Sequence, residues 1–205
     1  RDQPRSRGLG DVYKRQVFQQ VQGTSYAQVM SQTVTANIAD SQSPFLYPNQ
    51  FCNFNANSAV VAKAAELTGG ISDPLAKVQA VYRYVIDHIS YDYQKAASVQ
   101  SGYLPVPDAA LASGKGICFD YAAVMTSMLR SQDIPTKLVI GYTGGTYHAW
   151  VSVYLTGQGW VDNIIYFDGT NWRYMDPTFA SSGKGDAAVS NYISNQANYQ
   201  AKFTY

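Results

Sequence analysis

Beyond residue 57 the apolar positions follow a period that changes along the chain, and each change marks an element. Ala59, Val60, Ala62, Ala64, Ala65 and Leu67 form a helix-favouring run over Ser58 to Thr68, which Gly69-Gly70 ends. Asp73 can cap a second helix and Pro74 suits its first turn. Leu75, Val78, Val81, Tyr82, Val85, Ile86 and Ile89 then recur at helical spacing. His88 falls off that stripe and reads as a surface histidine. A loop containing Gly102, Pro105 and Pro107 follows, and Asp108 is expected to open a short helix over Ala109 to Ala112.

The stretch Gly114-Lys115-Gly116-Ile117-Cys118 leads into a helix that is apolar on more than one side, through Ala122, Met125, Met128 and Leu129 to about Gln132. Such a helix needs neighbours all round it. The period then becomes two. Lys137 to Tyr142 predicts a strand, Thr143-Gly144-Gly145-Thr146 a turn, and His148 to Tyr154 a returning strand. In that strand His148, Trp150 and Ser152 share one face, while Ala149, Val151 and Val153 take the other. After Gly157-Gln158-Gly159, a strand from Trp160 to Phe167, a turn at Asp168-Gly169 and a return through Trp172 to Asp176 predict a further hairpin.

Outside this body the pattern weakens. Residues 1–16 carry five basic residues, and Ser6 to Gln16 resembles a translated sequencing adaptor, so 1–16 is set aside as a non-native leader. Residues 17–57 read as a polar, irregular strap held down by Phe45, Leu46, Tyr47, Phe51 and Phe54. Residues 58–180 form the core, and 181–205 a tail packed on it through side chains such as Tyr199 and Phe203.

Composition narrows the function. At 205 residues and 46% hydrophobic the chain can bury a sizeable core. A net charge of +1 with 14% charged residues gives no electrostatic footprint for nucleic acid or an anionic membrane. Its 17 tyrosines and single glutamate, Glu66, suit a secreted bacterial protein, extracellular or at the cell surface. No run approaches a membrane span and no signal-peptide core is present, which reads as a mature or truncated form. Neither metal nor organic cofactor is expected, because no CxxC, HExxH, phosphate loop or calcium loop occurs.

The candidate chemistry lies in the thiol. Unpaired N–H groups and the macrodipole at a helix start favour a thiolate at Cys118. A small buried thiol packing a core helix is the competing reading, and a disulfide with Cys52 would exclude nucleophilic attack altogether. Acyl transfer by a thiol also needs an imidazole to move the proton and an acceptor to orient that imidazole. His148 opens a strand 30 residues after Cys118, and Asp176 ends one 28 residues later, before Pro177.

Together, Gly116-Ile117-Cys118-Phe119-Asp120-Tyr121-Ala122, Leu129-Arg130, Ile134-Pro135, Gly141-Tyr142, His148-Ala149-Trp150-Val151, Trp160 and Asp176-Pro177-Thr178 resemble the core of the transglutaminase-like superfamily, distant relatives of papain-type cysteine proteases. The resemblance runs from about Ser72 to Ala180. It implies an α+β fold with a central nucleophile helix packed on an antiparallel sheet. It also implies a triad of Cys118 as nucleophile, His148 as base and acid, and Asp176 as orienting carboxylate. One departure is the inserted segment Asp162 to Met175, which leaves both Trp160 and Trp172 as matches for the family tryptophan. The Cys118 N–H is one candidate oxyanion donor; Tyr91, Tyr103, Trp150 and Trp160 are candidate substrate or oxyanion contacts. The expected function is cysteine-dependent acyl transfer or hydrolysis at a carboxamide or peptide bond, through a thioester, on a protein or cell-wall peptide. The alternative is a catalytically silent module binding cell-surface protein or carbohydrate.

Overall fold

The chain divides into two compact units, residues 1–41 and 42–205, so the segment expected as one strap over 17–57 is shared between them. A computed structural model describes residues 11–36, 38–161, 165–167, 172–174, 178, 181, 187–188, 191 and 195–205. The first unit is an antiparallel hairpin of β1 (Asp11–Gln22) and β2 (Ser25–Ala36), turned at Gly23, whose φ of +53° suits a residue without a Cβ. A hairpin thus replaces the irregular path expected over 17–36, and β1 also takes in residues 11–16. Within this unit Phe18, Val21, Tyr26 and Val29 are exposed. A ribbon with neither face buried has no reason to show the strict alternation by which strands are read from sequence.

In the second unit α1 (Ala59–Thr68) and α2 (Pro74–His88) form where their spacing predicts, and Asp73 accepts hydrogen bonds from the Leu75 and Ala76 N–H groups as the N-cap of α2. Next come β3 (Ser90–Tyr91), α3 (Tyr93–Ser98), α4 (Pro107–Ser113), β4 (Lys115–Gly116) and α5 (Cys118–Arg130). The Asp108 expectation changes. Val106 is the N-cap of α4, and Asp108 instead accepts the Val60 N–H at 3.0 Å, capping α1 from 48 residues away. His88 is exposed as expected, but its Nε2 lies 2.8 Å from the Leu111 carbonyl, tying α2 to α4.

Every residue of α5 from Asp120 to Arg130 is buried. Helices α1, α2 and α4 pack on it from one side and β5 (Thr136–Thr143) and β6 (Thr146–Leu155) from the other. This is the enclosure that its all-round apolarity requires. The sheet is antiparallel, in the order β10-β5-β6-β7, with β7 at Gly159–Val161 and β10 at Tyr199–Thr204. Ala149, Val151 and Val153 of β6 join Leu138 and Ile140 of β5 and the apolar side chains of α5 in one core. β8 (Ile165–Phe167) pairs with β9 (Trp172–Tyr174) as a second hairpin, but of the single strand expected from Trp160 to Phe167, residues 160–161 lie in β7 beside β6 and 165–167 in this separate two-stranded sheet. The tail supplies an edge strand, β10, beside β5. The fold is α+β, a central helix on an antiparallel sheet.

Candidate active site

The turn before Cys118 uses its two glycines differently. Gly114 ends α4 in the left-handed region at φ +61°, donating to the Ala110 carbonyl at 3.1 Å. Gly116 has no positive φ; a Cβ there would lie 2.6 Å from the Asp120 Cβ, so it is the close approach that demands glycine. Ile117, in extended conformation, is the N-cap of α5. Its side chain cannot accept a hydrogen bond, but its N–H donates to Asp120 Oδ2 at 2.9 Å, half of a capping box. The Asp120 and Tyr121 N–H groups both donate to the Ile117 carbonyl. The N–H groups of Cys118 and Phe119 therefore remain the helix-start donors that α5 does not use. Cys118 is partly exposed.

Asp120 is 1% exposed and collects more than its cap. Lys95 of α3 places its Nζ 2.7 Å from Asp120 Oδ2, and the Tyr103 hydroxyl donates to Oδ1. Lys95 also donates to the Tyr103 oxygen. Burial works against the Lys95 charge, but its bonds to Asp120 and Tyr103 outweigh burial and hold its pKa above the ordinary lysine value. Burial first, then the bond to Asp120, raises the Tyr103 phenol. Tyr103 is thus committed to Asp120, in a cluster not foreseen from sequence. Its signal was a carboxylate in the first turn of a helix otherwise apolar on several faces.

Tyr91 lies on the strand that pairs with the turn before the thiol. The parallel pairing of β3 with β4 sets Tyr91 against Gly116, with the Asp92 N–H donating to the Gly116 carbonyl at 2.9 Å. The Tyr91 phenol is raised by burial and then by the negative charge that Cys118 would carry, so the two groups lie within electrostatic reach. Tyr93 meets Tyr91 edge to face, their centroids 4.9 Å apart.

His148 sits near the start of β6, 5% exposed, paired across to Gly141 of β5. Its level along α5 follows from the connection. Arg130 Nε donates to the Thr136 carbonyl at 2.8 Å, so helix and strand leave one end together. Cys118 lies twelve helical rises back from Arg130, about 18 Å, and Gly141 lies five strand rises from Thr136, about 17 Å. Counted along each element from that shared end, Cys118 and the Gly141–His148 pair stand at similar lengths. Trp150, 2% exposed, stacks beside His148 at 6.3 Å and meets Tyr199 of β10 at 5.3 Å. A Cβ on Gly141 would lie 2.1 Å from the Gln200 carbonyl and 2.8 Å from the Trp150 ring. Glycine is what lets strand β10 and that indole close around the His148 pairing.

Trp160 lies elsewhere. It pairs with Tyr154, six residues along β6 from His148 and so about 20 Å away. There it packs edge to face on Phe45 at 5.1 Å, under the Lys137 ammonium at 3.7 Å from its centroid. Asp176 and the side chain of Trp172 lie outside the described residues. Cys52 is fully buried and accepts from Arg130, at the opposite end of α5 from Cys118. Both thiols are free, which removes the disulfide alternative.

A profile described as the transglutaminase-like superfamily matches residues 61–177, more than half of the chain. The chain belongs to the transglutaminase-like superfamily. Among its relatives, the uncharacterized protein YebA of Bacillus subtilis is 28% identical over 60% of this chain and 19% of its own length. The protein-glutamine gamma-glutamyltransferase of Pseudomonas aeruginosa is 30% identical over 52% of this chain and 18% of its own. The chain thus spans about a fifth of the length of these curated relatives. The periplasmic domain of TgpA from Pseudomonas aeruginosa shares the fold at a TM-score of 0.51 and 18% identity, over 93% of this chain and 76% of that domain. Among the described residues no helix is long and apolar enough to cross a membrane.

Proposed function

We propose that Cys118 is the nucleophile of a cysteine-dependent acyl transfer or hydrolysis at a carboxamide or peptide bond. What supports this is a partly exposed thiol as the first residue of a buried helix, with His148 on β6, a strand that packs on that helix. The thiolate attacks the carbonyl carbon, and the oxyanion is received by helix-start N–H groups, that of Cys118 among them; one such donor contributes about 2.7–4 kcal/mol. His148, oriented by Asp176, carries the thiol proton to the departing ammonia or amine as the C–N bond breaks, leaving a thioester. A lysine amine or water then attacks the thioester, His148 takes its proton, and the thiol is regenerated. With an amine the enzyme is a transglutaminase; with water it is an amidase or protease. Tyr91 flanks the reacting carbonyl, Trp150 walls the imidazole, Tyr103 braces the turn through Asp120, and Trp160 holds the 43–45 segment on the sheet.

The substrate is a protein or peptide, including peptides linked to a cell wall, met outside the cytoplasm. The similarity to a gamma-glutamyltransferase and to a periplasmic domain supports that assignment. The test is incubation with a glutamine-containing peptide, with and without a primary amine, followed by mass spectrometry of protein and peptide. The expected result is a Cys118 acyl adduct and conversion of the glutamine to a cross-linked amide or to glutamate. Both should be lost in Cys118→Ala and slowed by at least about a hundredfold in His148→Ala. A wild-type protein that forms no adduct and converts no peptide overturns the proposal and leaves a binding module.

A further inference from the structure

We propose that Lys95 is a positioning residue acting on Cys118 through Asp120, its ammonium cancelling the charge of the carboxylate that braces the turn before the thiol. The inference rests on Cys118 being the nucleophile. The brace itself is required by the backbone. Ile117 cannot cap its own helix, so the turn is closed by Asp120 accepting the Ile117 N–H at 2.9 Å, inside a space that Gly116 leaves open. An acid is the natural residue in a helix's first turn, where it meets the positive end of the macrodipole.

Two residues from the thiol, however, an unbalanced negative charge at 1% exposure would act on Cys118 with little water to screen it. Lys95 answers both problems. Its Nζ, 2.7 Å from Oδ2, replaces the lost solvation of the carboxylate and makes the pair nearly neutral as seen from Cys118. Tyr103 fills Oδ1 and bonds Lys95 as well, so the three groups close on one another. α3 has only six residues, and Asp92 caps it by accepting the Lys95 N–H at 2.9 Å. The side chain that caps the helix thus also fixes where Lys95 begins.

The other ionisable groups around this turn do not substitute for Lys95. Asp92 commits its carboxylate to the N-cap of α3, Lys115 of β4 is exposed to solvent, and Tyr91 of β3 and Tyr103 of the following loop are phenols that burial keeps protonated. His148, on β6, belongs to the proton transfer itself. Lys95 is the cation bonded into the cluster.

The experiment is the rate of Cys118 alkylation by iodoacetamide at one near-neutral pH, followed by mass spectrometry, with circular dichroism to verify folding. Lys95→Met should react about tenfold more slowly than wild type, and Lys95→Arg within about twofold of it. The double variant Lys95→Met with Asp120→Asn loses charge and countercharge together, keeps an acceptor for the Ile117 N–H, and should return to within about threefold of wild type. A purely structural brace predicts instead that the double variant is at least as slow as Lys95→Met, and that result overturns the inference. So does a Lys95→Met protein that reacts at the wild-type rate. Should Lys95→Met not fold, Asp120→Asn alone decides, since it must react no more slowly than wild type. Wild-type Cys118 that resists alkylation overturns the nucleophile assignment too, whereas a reactive wild type with an unaffected Lys95→Met overturns this inference alone.

Discussion

Arg130, at the far end of α5, tests whether the second unit is held together by one buried cation. It is 2% exposed, and its partners are three backbone carbonyls and a thiol. Nε donates to Thr136 at 2.8 Å, Nη2 to Tyr205 at 2.8 Å, and Nη1 to Tyr47 and to Cys52 Sγ at 3.3 Å. One side chain therefore joins the start of β5, the residue after β10 and the 43–52 segment to the last turn of the central helix. Burial pushes the guanidinium pKa down, because water solvates the charge poorly there. Replacing it with methionine removes three charge-assisted bonds of about 1.5–3 kcal/mol each, or about 4.5–9 kcal/mol gross. It also relieves the cost of burying the cation, several kcal/mol, so the net loss is about 2–4 kcal/mol. In urea unfolding followed by tryptophan fluorescence, a slope of about 2 kcal/mol per molar turns a 3 kcal/mol loss into a midpoint lower by about 1.5 M. Arg130→Lys should fall between, because one ammonium cannot span three carbonyls. Cys52→Ala should cost about 1 kcal/mol. A midpoint shift under about 0.5 M for Arg130→Met, or a Cys52→Ala loss equal to it, would refute the reasoning.

Two further outcomes follow from particular contacts. Gly141→Ala puts a methyl group 2.1 Å from the Gln200 carbonyl, a backbone atom that cannot turn aside, so β10 or β5 must shift at a cost of about 1–3 kcal/mol. Because Gly141 pairs with His148, peptide conversion should fall further than thermal stability alone explains, and an alanine variant with wild-type turnover contradicts the placement. In the alkaline range, burial raises the Cys52 thiol above its ordinary 9.0 and the Tyr121 phenol above its ordinary 10.0. The unfolded chain then loses these protons before the folded one does, so stability is full below about pH 9 and declines as pH rises. Cys52→Ala should move the onset of that decline up toward about pH 10 in urea midpoints measured across pH, and profiles that superimpose would rule out the thiol as its source.

What sequence alone determined was local. The stripe of Leu75, Val78, Val81 and Val85 made α2, Asp73 capped it, and a run apolar on several faces made α5 a central helix. The change to a period of two made β5 and β6. Gly114 to Cys118 before an apolar helix made Cys118 a candidate that a buried core thiol would match equally well until His148, Asp176 and the family resemblance were added, and the alternation of β6 placed His148 and Trp150 on one face. Each of these depends on residues within one or two turns of one another. Which distant groups meet is not written in any period. Asp108 reads as the opening of its own helix, yet caps α1. Tyr103 reads as a candidate oxyanion donor and Trp160 as a site residue, yet one is committed to Asp120 and Lys95 and the other to Phe45. β10 reads as a tail because all of its pairing is with β5, more than fifty residues away. Tertiary structure decided these because a carboxylate, a hydroxyl or an indole has several chemically adequate partners. The packing of α5 between helices and sheet determines which of them is in reach.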